Sequence, residues 1–500
     1  MTACPPVDVL VVGGGINGAG IARDAAGRGL SVLLVEKGDL GGATSSASSK
    51  LIHGGLRYLE QFEFRLVAES LREREILLHA APHLVRPLRF VMPHVPELRP
   101  AWMIRAGLLL YDLLARRQTL PGSAAVDLSQ PPYNNGLRPS LRRGFIYSDC
   151  RVDDARLVIA TARSAQARGA RIRPRTACTA LHRDGGQWRA TLQTARGASE
   201  EIGARCVVNA TGPWAKSFLT DIAGLQTPFG LRLVQGSHII VPKLYEGEHA
   251  FILQNDDRRV IFAYPYQEQY TLIGTTDVES HGAPEAYAAS DAEVRYLCRA
   301  VNRYFRRGVS EHDVVHRYAG IRPLFDDGSN NPSQVTRDYV LRISGAPDEA
   351  ALLSVFGGKI TTYRSLAEQA VDVLRPWFPG LGPHWTGGAA LDGGELGAGG
   401  MAGLLQRVGR GYPWLPQPLL RALAQRHGAN LYAVLAGADG FAAMGTDFGA
   451  GLHAREVDYF MDHEWAMTAE DVLWRRTQCG LRLTLLQQQA VIAYIDRRAS

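Results

Sequence analysis

The sequence predicts an α/β protein with three parts: a Rossmann-like domain, a mixed β-sheet domain and an all-helical C-terminal domain. A β-α-β pattern with a glycine-rich turn occupies residues 7–36, and alternating apolar and polar residues fill 229–280. A Gly/Pro cluster at 379–400 separates these from a stretch with helical periodicity only. The predicted limits are 1–75, 145–228 and 335–380 for the first domain, 76–144 and 229–334 for the second, and 388–500 for the third.

Composition excludes several classes of protein. With 46% hydrophobic and 21% charged residues, the 500-residue chain is typical of a globular protein and not of a disordered one. Its net charge of +6 suits an anionic substrate or an anionic membrane surface, and no basic run suggests nucleic acid. The six cysteines show no CxxC spacing, so we expect reduced thiols and no zinc or iron–sulfur site. The first apolar run, at 7–12, leads into a glycine-rich turn, so we expect no signal peptide, and we expect no membrane span because no run reaches ~18 apolar residues.

The first β-α-β unit carries a dinucleotide-binding pattern. Residues 7–12 and 31–36 read as buried strands and 16–29 as the helix between them. Gly13 would make the tight turn, Gly15 would let a pyrophosphate approach the backbone, and Gly18 would let helix pack on strand. Glu36 ends the second strand, where its carboxylate would accept a hydrogen bond from a ribose hydroxyl.

NAD and FAD share this pattern, and three further stretches favour FAD. An acid at Glu36 disfavours the 2′-phosphate of NADP. The Ser/Thr-rich loop 44–49 could supply donors to a pyrophosphate and a flavin, and the strand 207–212 ends in Ala-Thr-Gly at the same cleft. Two glycines at 357–358 open a helix whose N-terminus could hold the negative charge of a reduced flavin.

The remaining elements follow from periodicity and from turn residues. Glycine, proline, serine and asparagine mark loops at 39–56 and 118–144. The predicted helices are 59–80, 153–169, 290–306, 361–378, 402–408, 416–427, 429–436, 453–464, 468–478 and 481–497. The predicted strands lie in a meander at 170–205, a buried strand at 206–210, and further strands at 229–280 and 338–356.

Five motifs identify the chain as resembling one family. They are SKLIHGGLRYLE at 49–60, QGSH at 235–238, IGTTD at 273–277, AGIRPL at 319–324 and GGKITTYR at 357–364. In this order they are similar to the aerobic, membrane-associated, FAD-dependent glycerol-3-phosphate dehydrogenases of bacteria, in the D-amino-acid-oxidase superfamily. The resemblance implies oxidation of sn-glycerol 3-phosphate to dihydroxyacetone phosphate in glycerol catabolism and respiration, with quinone reoxidising FAD. It also implies a homodimer at the cytoplasmic face of the inner membrane.

The motifs and the resemblance together assign the site residues. His238 would be the base for the C2 hydroxyl, with a pKa near ~6.5, and Arg322 and Lys359 would lie near the reacting carbon. The predicted substrate-binding residues are Arg57, Tyr58, Thr275 and Arg337. The predicted cofactor-binding residues are Gly13, Gly15, Asn17, Gly18, Glu36, Lys37, Thr44, Ser45, Ser46, Ser48, Ser49, His53, Gly54, Ala210, Thr211, Gly212, Gly357, Gly358, Lys359 and Ile360.

Two other functions remain open on the sequence. An FAD-dependent tRNA-modifying protein would need a basic segment, whereas the C-terminal part mixes acidic residues with its arginines. An amine or amino-acid oxidase needs one carboxylate-binding arginine, whereas four candidate cations favour a phosphate.

Residues 101–117 have the composition of a helix that lies in a membrane interface. Trp102, Leu109, Leu110, Tyr111 and Leu113 would form its apolar side, and the basic residues Arg105, Arg116 and Arg117 would meet anionic headgroups. An ordinary core or dimer-interface helix fits the periodicity about equally well. The sequence shows no second redox motif, so we expect a lipid-soluble quinone to come to the flavin.

Overall fold

A computed structural model describes residues 5–115, 118–257, 259–280, 282, 284, 287–326, 338–346 and 348–499. The described strands are β1 (Val7–Val12), β2 (Val32–Val35), β3 (Leu51–Ile52), β4 (Val85–Pro93), β5 (Ala124–Asp127), β6 (Arg143–Val152), β7 (Arg171–Arg173), β8 (Thr176–Asp184), β9 (Gln187–Thr194), β10 (Ser199–Asn209), β11 (Gly230–Pro242), β12 (Ala250–Gln254), β13 (Val260–Tyr266), β14 (Tyr270–Gly274), β15 (Val278–Ser280), β16 (His316–Asp326), β17 (Val340–Ser344), β18 (Ala351–Phe356), β19 (Asp447–Gly449) and β20 (Leu452–His453). The described α-helices are α1 (Ile16–Gly27), α2 (Phe64–Ala80), α3 (Ala101–Leu113), α4 (Asp154–Gln166), α5 (Ala215–Ser217), α6 (Asp291–Asn302), α7 (Tyr363–Val373), α8 (Gly400–Gly411), α9 (Gln417–His427), α10 (Leu431–Leu435), α11 (Ala454–His463) and α12 (Leu485–Ala499).

The first sheet is built around the N-terminal β-α-β unit. Its strand order is β17-β18-β10-β1-β2-β7, and the hairpin β8–β9 continues from β10. Strands β18, β10, β1, β2 and β7 run parallel, and α1 packs between α4 and α7 over one face. Because both faces are covered, β1 and β2 are apolar without alternation, as the sequence indicated. The parallel strands therefore end together at one edge.

The second sheet provides the opposite wall of the molecule's main cavity. Its order is β15-β11-β14-β13-β12-β4-β6-β3, with β16 on β11 and β5 on β6. The predicted domain limits place residues 145–152 in the first domain, whereas β6 pairs within this second sheet. Strand β5 also lies inside the stretch 118–144 that the sequence indicated as irregular.

The C-terminal domain has its own apolar core, formed by helices α8 to α12 and the turns between them. It is helical as predicted, except for the two-stranded ribbon of β19 and β20. Gly449 and Gly451 at this ribbon have φ of 94° and 73°, a backbone that favours glycine. This turn chemistry was missed among the surrounding helical periodicities.

The predicted helix 59–80 is in fact two pieces. A 3₁₀ helix covers Leu56–Gln61, and α2 begins at Phe64 after Phe62, which has φ of 60°. The break separates the short helix that carries Arg57 and Tyr58 from the long helix behind it. The 3₁₀ helix also contacts α3, so α3 is a direct neighbour of the segment that carries Arg57 and Tyr58.

Candidate active site

A cavity of about 1190 Å³ lies between the two sheets. Its wall includes Val12, Val35 and Gly357, the last or next residues of parallel strands β1, β2 and β18, which places it at the carboxyl edge of the first sheet. Ligands of doubly wound sheets bind at this edge. All the predicted cofactor residues line the cavity except Gly18 and Gly54.

The glycine turn after β1 is shaped to leave room for a ligand. Gly13 has φ of 111°, and a Cβ there would lie 2.4 Å from the Ala210 carbonyl oxygen. A Cβ on Gly18 would lie 1.9 Å from the Gly13 carbonyl oxygen, so Gly18 acts in packing behind the turn. Gly15 is the N-cap of α1, has no side-chain capping bond, and lines the cavity. This cradle fits the pyrophosphate of a dinucleotide at a helix N-terminus.

The acidic residue at the end of β2 is held by backbone groups on both sides. Glu36 Oε2 accepts from the Gly14 N–H at 2.7 Å, and Oε1 accepts from the Gly38 N–H at 2.8 Å. Each carboxylate oxygen has a second lone pair, so Glu36 can still accept from a ribose hydroxyl. On the other side of the turn, no described residue donates a hydrogen bond to the buried Asn17 Oδ1. This orphaned acceptor also fits a ligand with donor groups.

The Ser/Thr-rich loop lies against the cavity, but several of its hydroxyls bond to protein. Ser45 Oγ accepts from the Ile16 N–H at 3.0 Å, and Thr44 donates to the Ile321 carbonyl at 2.7 Å. Ser48 donates to Asp154 at 2.7 Å, and Lys50 donates to the same carboxylate at 2.7 Å. These bonds fix the path of the loop. Because the hydroxyls are already used, a cofactor would contact mainly the backbone groups of this loop.

His238 lies on β11, in the second sheet, and lines the cavity. Its Nε2 is 2.9 Å from Ser49 Oγ, and its ring stacks on Tyr318 at 4.8 Å. Gly274 on the paired strand makes the room, since a Cβ there would lie 2.0 Å from the imidazole. Burial, with Arg322 and Lys50 nearby, lowers the pKa of His238 to about 3. The expected value near 6.5 is therefore wrong for this environment, and the ring is neutral at physiological pH.

Three of the predicted cations converge on the same part of the cavity. Arg57 Nη1 is 3.3 Å from Asp277, and Arg322 pairs with the other oxygen of that carboxylate. Arg322 also donates to the Thr276 carbonyl at 2.9 Å. Lys359 Nζ lies 3.8 Å from the centre of the Tyr58 ring. Together they give this end of the cavity a net positive charge, which suits an anionic substrate group.

The structure describes two of the three remaining residues predicted to bind the substrate. Thr275 and Tyr58 line the cavity as expected, and Thr275 Oγ1 lies 3.3 Å from Arg322 Nη2. Arg337 falls outside the described residues. Sequence reasoning gave Asp277 no role, although an acid directly after the Thr-Thr pair of a cation-rich motif set was a signal that could have found it.

Of two further predicted cofactor residues, His53 lines the cavity and Gly54 lies behind its wall. Burial, with Lys359 nearby, lowers the pKa of the His53 imidazole, and the backbone N–H of this residue donates to Thr361 Oγ1 at 3.3 Å. Gly54 lies behind the wall, where its N–H donates to Tyr111 Oη at 2.8 Å. Within the described residues, no group of histidine, cysteine, aspartate or glutamate side chains could hold a metal ion.

Comparison with known families and proteins agrees with this geometry. The family model for FAD dependent oxidoreductases matches residues 8–364, and the model for the C-terminal domain of alpha-glycerophosphate oxidase matches residues 385–498. The glycerol-3-phosphate dehydrogenase of Pseudomonas aeruginosa is 53% identical over 489 residues, which are 98% of this chain and 95% of that protein. The D-erythritol 1-phosphate dehydrogenase of Brucella abortus is 48% identical over 493 residues, 98% of this chain and 97% of that protein.

A solved structure shares the whole architecture. The glycerol-3-phosphate dehydrogenase from Bacillus halodurans complexed with FAD matches 99% of this chain and 90% of its own, at 27% identity and a TM-score of 0.78. The match spans both sheets and the helical domain, so the arrangement of the three parts is common to the two proteins.

Proposed function

The chain belongs to the FAD-dependent oxidoreductases, in the group that contains the glycerol-3-phosphate dehydrogenases, and from this we propose that it oxidises sn-glycerol 3-phosphate to dihydroxyacetone phosphate. Its family and its cofactor, FAD, are those that the motifs predicted. The likeness to a D-erythritol 1-phosphate dehydrogenase makes a four-carbon polyol phosphate the second candidate substrate.

The observation that carries the proposal is the meeting of Arg57, Arg322 and Lys359 beside a neutral His238 in one cavity. A phosphate dianion needs charge-assisted donors, which guanidinium groups supply best. An alcohol that loses a hydride needs a base for its hydroxyl proton, and a neutral imidazole can take it. One end of the cavity thus has both the donors for a phosphate and the base for a hydroxyl, and the other end suits a dinucleotide.

The proposed mechanism divides the work among these residues. The chemistry that bound FAD would supply is that of a hydride acceptor for C2 of the substrate. Arg57 binds the phosphate, while Arg322 and Lys359 lie nearer C2 and stabilise charge on its oxygen as the proton leaves. His238 takes up the hydroxyl proton, and Ser49 fixes the ring through the hydrogen bond at Nε2. Asp277 bridges Arg57 and Arg322, one on each carboxylate oxygen, and so orients both.

Substrate identity can be tested with purified, yellow protein and an artificial electron acceptor. We expect dye reduction with glycerol 3-phosphate, and none with glycerol or with amino acids, because the cations have no phosphate to bind in those compounds. A higher kcat/KM for D-erythritol 1-phosphate would assign the second substrate instead. Turnover of an amino acid alone would contradict the proposal and identify an oxidase of the same superfamily.

Replacing Arg57 by methionine should weaken substrate binding. Loss of a hydrogen bond to a charged group costs ~1.5–3 kcal/mol, so KM should rise roughly 10- to 150-fold with a smaller change in kcat. Arg65→Met is the matched control, because Arg65 is exposed and contacts Asp338 at 3.4 Å on the surface. Steady-state kinetics in which Arg57→Met and Arg65→Met behave alike would remove Arg57 from the phosphate site.

We further propose that the electrons pass to a membrane quinone and that α3 lies on an anionic bilayer at the cytoplasmic face. Trp102, Leu109, Leu110 and Leu113 are exposed on α3, with Trp102 at 71% and Leu113 at 79%. Tyr111 was expected on this apolar side, but it is buried and donates to Asp149 at 2.7 Å. Arg105 contacts Ser123, and Arg116 and Arg117 fall outside the described residues. No described helix has the length and apolarity to span a bilayer.

A flotation experiment tests this surface. The full-length wild type should float with anionic vesicles at low salt and release in part at high salt, since each arginine near the surface adds ~1 kcal/mol that salt screens. A Trp102→Ser, Leu109→Ser, Leu113→Ser variant should stay in solution and keep its dye-reductase activity. Leu485→Ser, Leu486→Ser is the matched control, because these leucines on α12 are 77% and 78% exposed. If only the α12 variant stops floating, α3 is not the anchor.

A further inference from the structure

The C-terminal domain reaches the cofactor cavity at the end that holds Glu36. Thr468, Glu470 and Arg475 from this domain line the cavity together with Lys37 and Arg175 of the first domain. Because the glycine cradle receives the pyrophosphate and Glu36 the ribose, this is the adenosine end of the site. A domain with a separate apolar core therefore forms part of the cofactor wall.

Two arginines of the C-terminal domain hold the loop that follows Glu36. Arg475 Nε donates to Asp39 Oδ2 at 2.5 Å, and Arg476 Nη2 donates to Asp39 Oδ1 at 2.9 Å. Arg476 is fully buried and Asp39 is 4% exposed, so this ion pair is shielded from water. Gly38, next to Asp39, donates its N–H to Glu36 Oε1 at 2.8 Å. The arginines thus fix the segment that orients the ribose-binding carboxylate.

A second link from the same domain reaches this loop from the other side. Asp471 accepts two hydrogen bonds from Arg175, at 2.8 and 2.7 Å, and is itself fully buried. The backbone N–H of Arg175 donates to the Gly38 carbonyl at 2.9 Å. Arg175 has φ of 52°, a conformation that a non-glycine residue keeps only when its surroundings hold it. Both links therefore converge on residues 36–39.

We propose that the C-terminal domain is a positioning element of the FAD site: its Arg475–Arg476 pair and Asp471 hold residues 36–39 so that Glu36 meets the adenosine ribose. Binding of the adenosine half of FAD and docking of this domain are then thermodynamically coupled, and each strengthens the other. The inference rests on FAD dependence alone, so its outcome is independent of the substrate proposed above.

The test uses the full-length chain and measures cofactor binding rather than turnover. Arg476→Met should lower the affinity for FAD about 10-fold or more. The loss is measured as the rise in fluorescence of free flavin when the holoenzyme is diluted. In the full-length apoprotein, the affinity for ADP should fall by a similar factor. The affinity for FMN, which lacks the adenosine half, should not change. Arg163→Met is the control, since it removes an interdomain pair with Asp392 (2.6 Å) away from the cavity. If Arg476→Met does not fold, Asp39→Asn removes the negative charge that both Arg475 and Arg476 bind and keeps the side chain's shape.

The reciprocal effect provides a second readout. ADP should slow proteolysis in the 379–400 linker of the wild-type apoprotein. In Arg476→Met, the ADP concentration that gives the same protection should rise by the factor by which the affinity for ADP falls. FAD affinity within twofold of the wild type would overturn the proposal. Equal weakening of ADP and FMN would also overturn it, since that pattern reports general loosening of the site.

Discussion

A Gly15→Val variant should be purified as a colourless protein. The Gly15 backbone, with φ of −76°, can accept a side chain without strain, and a Cβ there would meet only Ser45 Oγ, at 3.1 Å. The added methyl groups would instead occupy the space that the turn leaves for the pyrophosphate. We expect FAD affinity to fall at least ~100-fold, as steric exclusion adds to the lost charge-assisted bonds. Flavin absorbance per chain measures the loss.

The choice of glycine separates loss of cofactor from loss of fold. Valine at Gly13 or Gly18 would strike backbone atoms at 2.4 and 1.9 Å, so those variants would fail for structural reasons. Gly380→Val is the matched control, because Gly380 is exposed and a Cβ there meets nothing within 4 Å. Circular dichroism should show a folded Gly15→Val protein. A yellow variant with wild-type flavin content would mean that the pyrophosphate lies elsewhere.

The parts of the site that the sequence predicted are those made by contiguous residues. The strand, turn and helix around Gly13 and Gly15 are set by local backbone chemistry, and Glu36 is placed by the strand that precedes it. For that reason most of the residues predicted to bind the cofactor line the cavity, whereas wall residues from distant segments, such as Arg175, Glu470 and Arg475, were not predicted. His238 was found by its motif, but its pKa was not, because burial and the positions of Arg322 and Lys50 depend on chain segments far apart in sequence.

Contacts between distant segments are what sequence reasoning missed. Asp277 pairs with Arg57, and Asp39 pairs with Arg476, over 220 and 437 residues of chain, respectively. The position of Asp277 in its motif marks it as a candidate, but no spacing in the sequence pairs either acid with its arginine, since only the folded sheets and the docked C-terminal domain bring the partners together. The Asp39–Arg476 pair is the contact from which we propose that the helical domain positions part of the cofactor site.

The orientation of helix α3 is a further feature that the sequence alone did not determine. Its apolar residues surround the helix, so periodicity alone could not say which side faces the protein. The structure buries Ile104, Leu108 and Tyr111, which are spaced four and three residues apart, and leaves Trp102 and Leu113 exposed. Tyr111 is drawn inward because its hydroxyl can donate to the buried Asp149 carboxylate.

Replacing His238 by asparagine should lower kcat ~10²- to 10⁴-fold and change KM much less. Asparagine keeps a polar side chain but cannot take up the proton of the substrate hydroxyl. Ser49→Ala is the matched variant, since it removes the hydrogen bond to Nε2 and leaves the base, so its effect on kcat should be the smaller one. Stopped-flow reduction of the bound flavin measures the step itself.

The pH dependence follows from the environment of this histidine. Burial, Arg322 and Lys50 lower its pKa to about 3, so the proton that blocks a base is bound only in strongly acidic solution. The wild-type kcat should therefore show no rise through pH 6.5 attributable to His238, and should stay level from about pH 5 to pH 8 as far as this group is concerned. A limb near pH 6.5 that vanishes in His238→Asn would show that the ring is solvated in the working enzyme. Wild-type flavin reduction in His238→Asn would place the base on another residue.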